Sequence, residues 1–209
     1  MGQAVGTRAG VRAQGRGERT KTALCDAALD LFAAKGVERT SVDEITAAAA
    51  VAKGTFYVHF QRKQDVLLER GAQLVVELQS ARSGGAAAPT SALRSLAADF
   101  AALNEAGPRP VMGRMVREIV GNREDWLRVL ADRPTLSAVI QPIIEAGQAA
   151  GRIRADQSPQ RLAQALTILW LDNVIGWAER GTARPLGVDL ARATDLFCGG
   201  ALAGTAVVA

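Results

Sequence analysis

A short stretch of this sequence, Lys53 to Phe60 (KGTFYVHF), gathers residue types that could contact a nucleic acid. It contains the only tyrosine and the only histidine of the 209 residues, with two of the five phenylalanines. At about 100° per residue on a helix, Phe56 and Phe60 lie on one face, away from Tyr57 and His59. The pattern predicts a short helix that the phenylalanines anchor to a core while its other residues stay exposed.

Positive charge is concentrated at the start of the chain. Residues 1–70 carry 11 Lys and Arg against 8 Asp and Glu, whereas residues 71–209 carry 14 against 13. Five of the basic residues, Arg8, Arg12, Arg16, Arg19 and Lys21, lie in the first 21 positions. This bias suits contact with a polyanion, although a solubilising tail is the commoner explanation. We expect residues 1–17 to form a flexible basic arm, either disordered or inserted into a minor groove.

Several classes of function lack the residues that they need. One histidine and two distant cysteines, Cys25 and Cys198, cannot make a metal site, so we expect no metal and no other cofactor. The sequence has no glycine-rich phosphate loop and no nucleophile motif, so we do not expect an enzyme. It also lacks a segment with the apolar purity of a membrane span or a signal peptide, and we expect a reduced, cytoplasmic protein.

The first third of the chain divides into short amphipathic helices. Apolar residues recur at helical spacing from Thr20 and stop at Gly36, which predicts a first helix. The run Ser41 to Glu44 (SVDE) has the form of a capping box, which predicts a second helix to about residue 49. The octet at 53–60 is then a third helix, and a fourth begins near Lys63.

Two short helices joined by a tight turn form the helix-turn-helix of major-groove readers. The runs AALDLFAAKG (27–36), TSVDEI (40–45) and VAKGTFYVHF (51–60), followed by Lys63, resemble the DNA-binding domain of TetR-type transcriptional regulators. The resemblance extends over about residues 19–78. It implies a DNA-binding domain at 18–82, with its second and third helices at about 41–60, in an all-helical, dimeric repressor of transcription.

The resemblance also implies roles at the DNA. Thr40 and Ser41 would present a hydroxyl and backbone N–H groups to a phosphate, and Gly54 would let the backbone approach base edges. Val58 stands where a second tyrosine is common and would pack against a thymine methyl group. The candidate DNA-binding residues are Thr40, Ser41, Lys53, Gly54, Thr55, Tyr57, Val58, His59 and Lys63.

Two positions of the turn depart from the family pattern. Ala50 stands where glycine is usual, and a left-handed alanine costs roughly 1–2 kcal/mol, so the turn is either strained or altered. Ala52 stands where a hydroxyl residue is common and cannot cap the third helix. Specific DNA binding is still the prediction. The alternative is a degenerate domain in which Tyr57 and His59 only fill surface and core.

The segment Ser83 to Ser91 (SGGAAAPTS) interrupts the helical pattern, and a second domain over 83–209 follows it. Its candidate helices lie at about 91–105, 110–120, 123–150, 158–180 and 188–207. Pro142 should kink the third of them. Because no alternating strand pattern is present, the fold class is all-α: a three-helix DNA-binding head with a helix-turn-helix, and a larger helical body for effector binding and dimerisation.

The body has the composition of a dimer interface. The helix at 158–180 is apolar nearly all round, and the last helix is rich in small residues that let another helix approach closely. Helix-turn-helix proteins usually dimerise to reach two major grooves roughly 34 Å apart. We therefore expect a homodimer on a palindromic double-stranded DNA operator, with an internal core as the alternative. The candidate interface residues are Leu162, Ala165, Leu169, Gly200 and Gly204.

The face of the helix at 158–180 that carries Trp170, Asn173 and Trp177 could line a ligand pocket. Plain core packing is the alternative for each residue. A ligand that changes the spacing of the two heads would weaken DNA binding roughly 5- to 150-fold. The sequence thus predicts a repressor released by a small apolar effector; the rival is a ligand-independent DNA-binding or partner-binding protein with a filled core. The pocket candidates are Phe100, Leu103, Met112, Met115, Val116, Ile119, Trp126, Ile140, Ile144, Trp170, Asn173 and Trp177.

Overall fold

The structure, a computed structural model, describes residues 6–81, 88–122, 124, 133–181 and 184–201. Within these ranges the elements, in chain order, are α1 (Gly6–Lys35), α2 (Val42–Ala48), α3 (Lys53–His59), α4 (Asp65–Ala81), α5 (Pro89–Glu105), α6 (Arg109–Gly121), α7 (Leu136–Ala149), α8 (Pro159–Arg180) and α9 (Leu186–Ala201). The all-α fold class predicted from the sequence is confirmed. None of these helices has the length and apolarity that crossing a membrane requires.

The chain forms two compact units, Met1–Glu69 and Arg70–Ala209. Helix α4 starts in the first unit and continues into the second, so the division lies inside a helix. The predicted boundary at 82–83 falls outside the described residues. Leu74 and Val75, in the part of α4 that belongs to the second unit, line a cavity together with residues of α5 and α6.

The first helix is longer than predicted. It begins at Gly6, inside the segment expected to form a flexible basic arm over 1–17. This segment contains no proline, and its three arginines and three alanines favour helical backbone, although its five glycines do not. The predicted arm therefore overlaps a helix from Gly6 onward, and residues 1–5 lie outside the described residues.

In the first unit, large apolar side chains from three helices form a core. Phe32 of α1, Ile45 of α2 and Phe56 of α3 are each at most 2% exposed. Phe60, directly after α3, is also buried, and its ring centroid lies 5.4 Å from that of Phe56. The two phenylalanines thus anchor the short helix α3, as the periodicity predicted.

A complete capping box starts α2. Ser41 Oγ accepts a hydrogen bond from Glu44 N at 3.2 Å, and the Glu44 carboxylate accepts from Ser41 N at 2.8 Å. The Lys35 ammonium at the end of α1 also donates to Glu44. These bonds, from Lys35 first and then from Ser41, lower the pKa of Glu44 from 4.5 to about 2.

The turn between α2 and α3 is strained in the way the sequence predicted. Ala50 has a φ of 53°, which makes it the left-handed non-glycine residue of the described ranges. Val51 N donates to Thr46 O at 3.0 Å, and Ala50 N donates to Ala47 O at 3.2 Å, which is a Schellman-type helix end. Ala52 is the N-cap of α3 and supplies no side-chain hydrogen bond, also as predicted.

The second unit is a bundle in which α8 packs against α6, α7 and α9, and α5 packs against α7 and α9. A methyl group at Gly113 of α6 would collide with the side chain of Ala178 in α8, so glycine permits this close approach. Glu105, the last residue of α5, accepts hydrogen bonds from the backbone N–H groups of Leu186 and Gly187. Its carboxylate therefore caps the start of α9.

Residues 123–150 do not form the single helix that the sequence predicted. Helix α7 begins only at Leu136, because Arg133, Pro134 and Thr135 are not helical. Proline disfavours helical backbone in the residue before it, and Thr135 Oγ1 accepts from Ala138 N at 3.0 Å as an N-cap. Residues 123 and 125–132 lie outside the described residues.

Pro142 lies inside α7, at the position where the sequence predicted an interruption. Because proline has no N–H, the carbonyl of Ala138 loses its usual helical donor. Pro142 is exposed, whereas Ile140, Ile143 and Ile144 are buried. The proline thus occupies the outer side of α7 and leaves its apolar face continuous.

The strain at Ala50 leads to a stability prediction. Ala50→Gly should raise the free energy of unfolding by about 1 kcal/mol, because glycine adopts a positive φ without the alanine penalty. Ala47→Gly, at an exposed right-handed position of α2, is the matched control and should lower it by about 1 kcal/mol. Urea denaturation measures both. If neither variant raised the free energy of unfolding, or if both changed it in the same direction, the proposed strain at Ala50 would be contradicted.

The lowered pKa of Glu44 leads to a pH prediction. A folded-state pKa of about 2, below the ordinary 4.5, means that this carboxylate stabilises the fold fully above about pH 4.5. That contribution is lost as the pH falls toward 2. Glu44→Gln keeps a capping side chain without the charge, so the stability gap between wild type and variant should narrow over this window. Denaturation at low ionic strength from pH 6 downward tests this, and a constant gap would refute it.

Candidate DNA-binding surface and ligand cavity

The outer face of α3 carries side chains that the protein itself does not bury. Val58 is 78% exposed and Tyr57 is 54% exposed. Gly54 is exposed as well, and Thr55 and His59 are half-buried. Since Phe56 points into the core, α3 separates an anchoring side from a side that is free to meet a partner. These five outer residues are the ones predicted to lie against DNA.

An ion pair lies at the start of this surface. Lys53 Nζ is 2.8 Å from Asp43 Oδ1, and both side chains are more than half exposed. The hydrogen bond and the charge of Asp43 raise the pKa of Lys53, so the ammonium stays charged. An exposed pair contributes little to stability. Its effect is to hold the ammonium over the junction of α2 and α3, where a phosphate would compete with Asp43 for it.

Two predicted phosphate ligands also make hydrogen bonds within the protein. Thr40 is 1% exposed, and its hydroxyl donates to Gly36 O at 2.9 Å. A phosphate would have to replace this bond, and the predicted contact of the Thr40 hydroxyl stays a prediction. Lys63 Nζ donates to Glu38 O at 3.0 Å and to Thr40 O at 2.9 Å. An ammonium has three N–H groups, so Lys63 keeps one donor for a phosphate while it holds the α1–α2 loop.

Ser41 is exposed but its polar groups are also engaged. Its backbone N–H and its hydroxyl both donate to Glu44 Oε2, at 2.8 Å and 2.9 Å. The start of α2 thus already holds a carboxylate where the family resemblance placed a phosphate. A phosphate at Ser41 would have to compete with Glu44, and the predicted contact stays a prediction.

Nothing inside the protein requires glycine at position 54. A Cβ built on Gly54 would have no atom within 4 Å, apart from its own helix backbone and chain neighbours, and the residue has no positive φ. Glycine in a helix is less stable than alanine by roughly 0.5–1 kcal/mol. The described contacts thus give no internal reason for glycine at this position, and close approach of DNA to the backbone here stays a prediction.

The second unit contains a cavity of about 520 Å³ between α4, α5, α6, α7 and α8. This volume lies within the range of roughly 300–1,000 Å³ that is typical of small-molecule sites. The cavity is lined by Gly71, Leu74, Val75, Phe100, Met115, Val116, Ile119, Val120, Thr135, Leu136, Ser137, Gln164, Thr167, Ile168, Leu171, Asp172 and Ile175. Most of this wall is aliphatic, and its polar groups come mainly from α8.

Four of the residues that the sequence proposed for a pocket line this cavity: Phe100, Met115, Val116 and Ile119. The others that the structure describes lie outside its lining, and Trp126 lies outside the described residues. Among the described candidates that do not line the cavity, Met112, Ile140 and Ile144 are at most 1% exposed and belong to the core, whereas Leu103 is half-buried. For the three core residues the alternative of plain packing holds.

The two tryptophans of α8 are core residues. Trp170 is fully buried; its Nε1 donates to Thr194 Oγ1 at 3.0 Å, and its ring stacks on Phe100 at 5.7 Å. Trp177 is 3% exposed and lies under the guanidinium of Arg109, 4.5 Å from its ring centroid. Asn173, which the sequence placed beside them, donates to Leu169 O of its own helix and does not line the cavity.

The sequence did contain a signal for the residues of α8 that line the cavity. Thr167, Ile168, Leu171 and Ile175 lie on one arc of the helix, next to the arc that holds the tryptophans. The tryptophan face is the pocket prediction of the sequence because large aromatic rings often line ligand sites. The apolar residues of α4 were missed because the sequence assigned α4 to the DNA-binding domain alone.

The third arc of α8 carries the predicted dimer contacts. Ala165 is exposed, and Leu162 and Leu169 are half-buried. These three residues belong neither to the buried face of α8 nor to the lining of the cavity. Gly200 of α9 is exposed, and Gly204 lies outside the described residues. The three described residues of α8 are thus available to a second chain, and their role stays a prediction.

Two family descriptions match consecutive parts of the chain. "Bacterial regulatory proteins, tetR family" matches residues 24–69. "TetR/AcrR family transcriptional repressors, C-terminal domain" matches residues 67–200. Their junction coincides with the division between the two compact units at Glu69 and Arg70. The matches thus follow the same division as the structure.

Similar proteins support the same assignment. The transcriptional repressor DhaR of Mycobacterium sp. strain GP1 is 28% identical over 175 residues, 78% of this chain and 84% of DhaR. The transcriptional regulator AcuR of Cereibacter sphaeroides is 31% identical over 166 residues, 70% of this chain and 71% of AcuR. The crystal structure of the TetR-family repressor FadR of Thermus thermophilus with lauroyl-CoA has a TM-score of 0.71 at 25% identity, covering 90% of this chain and 98% of FadR.

The open space around Gly54 leads to a prediction of opposite effects. Gly54→Ala should raise the free energy of unfolding by about 0.5–1 kcal/mol, because the methyl group meets no atom within 4 Å. It should weaken specific DNA binding roughly tenfold, because the methyl group keeps the backbone away from the DNA. Denaturation and fluorescence anisotropy with labelled DNA measure the two effects.

Gly121, at the end of α6, is the matched control because it has equally open space. Gly121→Ala should leave DNA affinity unchanged. Equal DNA affinity for Gly54→Ala and wild type would show that α3 does not approach DNA through this residue.

Proposed function

Because the chain belongs to the TetR family of DNA-binding transcriptional repressors, we propose that its affinity for an operator falls when a small apolar molecule occupies the cavity of its second unit. The observation that carries the proposal is that cavity, with about 520 Å³ of space and a mostly aliphatic wall. A filled core, as in a ligand-independent protein, would not leave this volume.

On the DNA side, we place α3 in the major groove of the operator. Tyr57, His59 and the Lys53 ammonium bind phosphates, while Gly54 and Thr55 approach base edges. Val58, the most exposed of these side chains at 78%, is an apolar group in a polar surface. Contact with a thymine methyl group gives it a partner and gives the protein a base preference.

Two copies of the chain bind a palindromic operator through a shared interface. We assign this interface to the third arc of α8, with Leu162, Ala165 and Leu169, and to the exposed side of α9 near Gly200. Leu196 of α9 is 75% exposed, which adds an apolar side chain that a partner would cover. Half-sites about one helical turn apart follow from such a two-fold arrangement.

The release mechanism relies on differential binding. A ligand can lower operator affinity only if it binds more tightly to the conformation that does not fit DNA. Typical coupling of about 1–3 kcal/mol corresponds to a 5- to 150-fold loss of operator affinity. The structure of the similar FadR with lauroyl-CoA supports an apolar ligand in this fold.

The experiment begins with selection of genomic DNA fragments by the purified protein, which yields the operator and the adjacent genes. Apolar compounds are then tested for release of the labelled operator. Leu171→Trp fills the cavity and should abolish release by any active compound. Without compound, the operator affinity of this variant should stay within about twofold of wild type. Ser95→Trp, on the exposed side of α5, is the control and should respond like wild type.

Two results would overturn the proposal. A protein that selects no specific DNA is not an operator-binding repressor. Compounds that release the operator equally well from Leu171→Trp and from wild type would act elsewhere than in this cavity.

A further inference from the structure

The described residues of the cavity wall carry negative charge but no positive charge. Asp172 is the one charged residue among those that line the cavity in the described part of the chain. It is exposed and has no ion pair among the described residues. Ile168 and Val120, 67% and 59% exposed, also belong to the wall and to the surface, so they mark the mouth. A ligand that enters past these side chains therefore meets a carboxylate at an apolar entrance.

Two hydroxyl protons of the wall are used within the protein. Thr167 Oγ1 donates to Ala163 O at 2.8 Å. The hydroxyls of Thr135 and Ser137 share a hydrogen bond of 2.9 Å, which uses one of their two protons. A carboxylate such as that of Asp172 accepts only, and an amide such as that of Gln164 offers both donors and an acceptor. Because Asp172 carries the one charge of the described wall, a cation suits this wall better than an anion.

Acyl-CoA thioesters and fatty acids need the opposite arrangement. Phosphate and carboxylate groups are held by Arg, Lys or several free N–H donors. The described lining contains neither Lys nor Arg. Arg70 of α4 pairs with Glu77 at 2.7 Å, and Arg114 of α6 pairs with Glu118 at 3.0 Å, and neither arginine lines the cavity.

From this we infer that the cavity selects cationic or neutral apolar ligands and rejects anionic ones, with Asp172 as the residue that sets this preference. The inference rests on the proposed function, since it names the class of ligand for the same cavity. It also separates this protein from the similar FadR whose structure contains lauroyl-CoA. An alkyl amine, with a chain among the aliphatic residues and an ammonium at Asp172, satisfies both parts of the wall.

The test compares ligands that share one chain and differ in the head group. Decylamine, 1-decanol, decanoate and decanoyl-CoA are titrated into the full-length protein at pH 7.5, below their aggregation limits, by isothermal titration calorimetry without DNA. Decylamine should bind at least about fivefold more tightly than decanoate, and decanol should lie between them. Tighter binding of decanoate or decanoyl-CoA would overturn the inference.

Substitutions then assign the preference to one residue. Asp172→Asn keeps the size of the side chain and should bring decylamine and decanoate to within about twofold of each other. Asp26→Asn, an exposed acid of α1 in the first unit, is the control and should keep the wild-type ratio. Leu171→Trp should weaken all of the ligands, which places them in the cavity. An unchanged ratio in Asp172→Asn would overturn the inference.

Failure of the inference and failure of the proposed function give different results. If decylamine binds with the expected preference but does not release the operator, the inferred selectivity is supported and the proposed release of the operator is contradicted. If decanoate or decanoyl-CoA binds more tightly than decylamine and releases the operator, the proposed release is supported and the inferred selectivity is overturned.

Discussion

The burial of Phe56 and Phe60 is the interaction on which the DNA-binding surface depends. A helix of seven residues is not stable alone in water, so α3 exists only because these rings pack into the core of the first unit. The core also orders its polar surroundings: Lys21 Nζ lies 6.0 Å from the centroid of the Phe60 ring and pairs with the buried Glu69 at 2.7 Å. With one side of α3 held in this way, the opposite side, with Tyr57 and Val58, can remain exposed to meet DNA.

Several polar residues on either side of α3 in the chain hold the backbone of the first unit in place. Glu44 closes the capping box of α2 with help from Lys35, and Lys63, after α3, donates to two carbonyl groups of the α1–α2 loop. Thr40 is buried with its hydroxyl bonded to the end of α1. These bonds hold the α1–α2 loop and the start of α2, while the left-handed Ala50 stores strain in the turn before α3. The polar groups of these residues are thus mostly engaged in hydrogen bonds within the protein.

Helix α8 organises the second unit through three separate faces. Trp170 and Trp177 fill the core, Leu171 and Asp172 line the cavity, and the remaining arc with the half-buried Leu169 is the one that we propose for contact with a second chain. Any ligand that moves the cavity side of such a helix also moves its other two faces, since a helix is displaced as a rigid element. This connection gives a physical route from an occupied cavity to a changed interface, and Asp172 determines which head groups can use it.

The sequence by itself determined the all-helical class, the anchoring role of Phe56, the capping box at Ser41 and the unusual turn at Ala50, because periodicity, caps and backbone preferences are local properties. It could not show that Thr40 is buried or that Trp170 faces the core, since both depend on which neighbours a helix face meets. The cavity was decided in the same way: Leu74 and Asp172 are far apart in the chain, and only packing of α4 and α8 around one space brings them into its wall. Local free energies select the elements, but the contacts that give a side chain its task arise between elements.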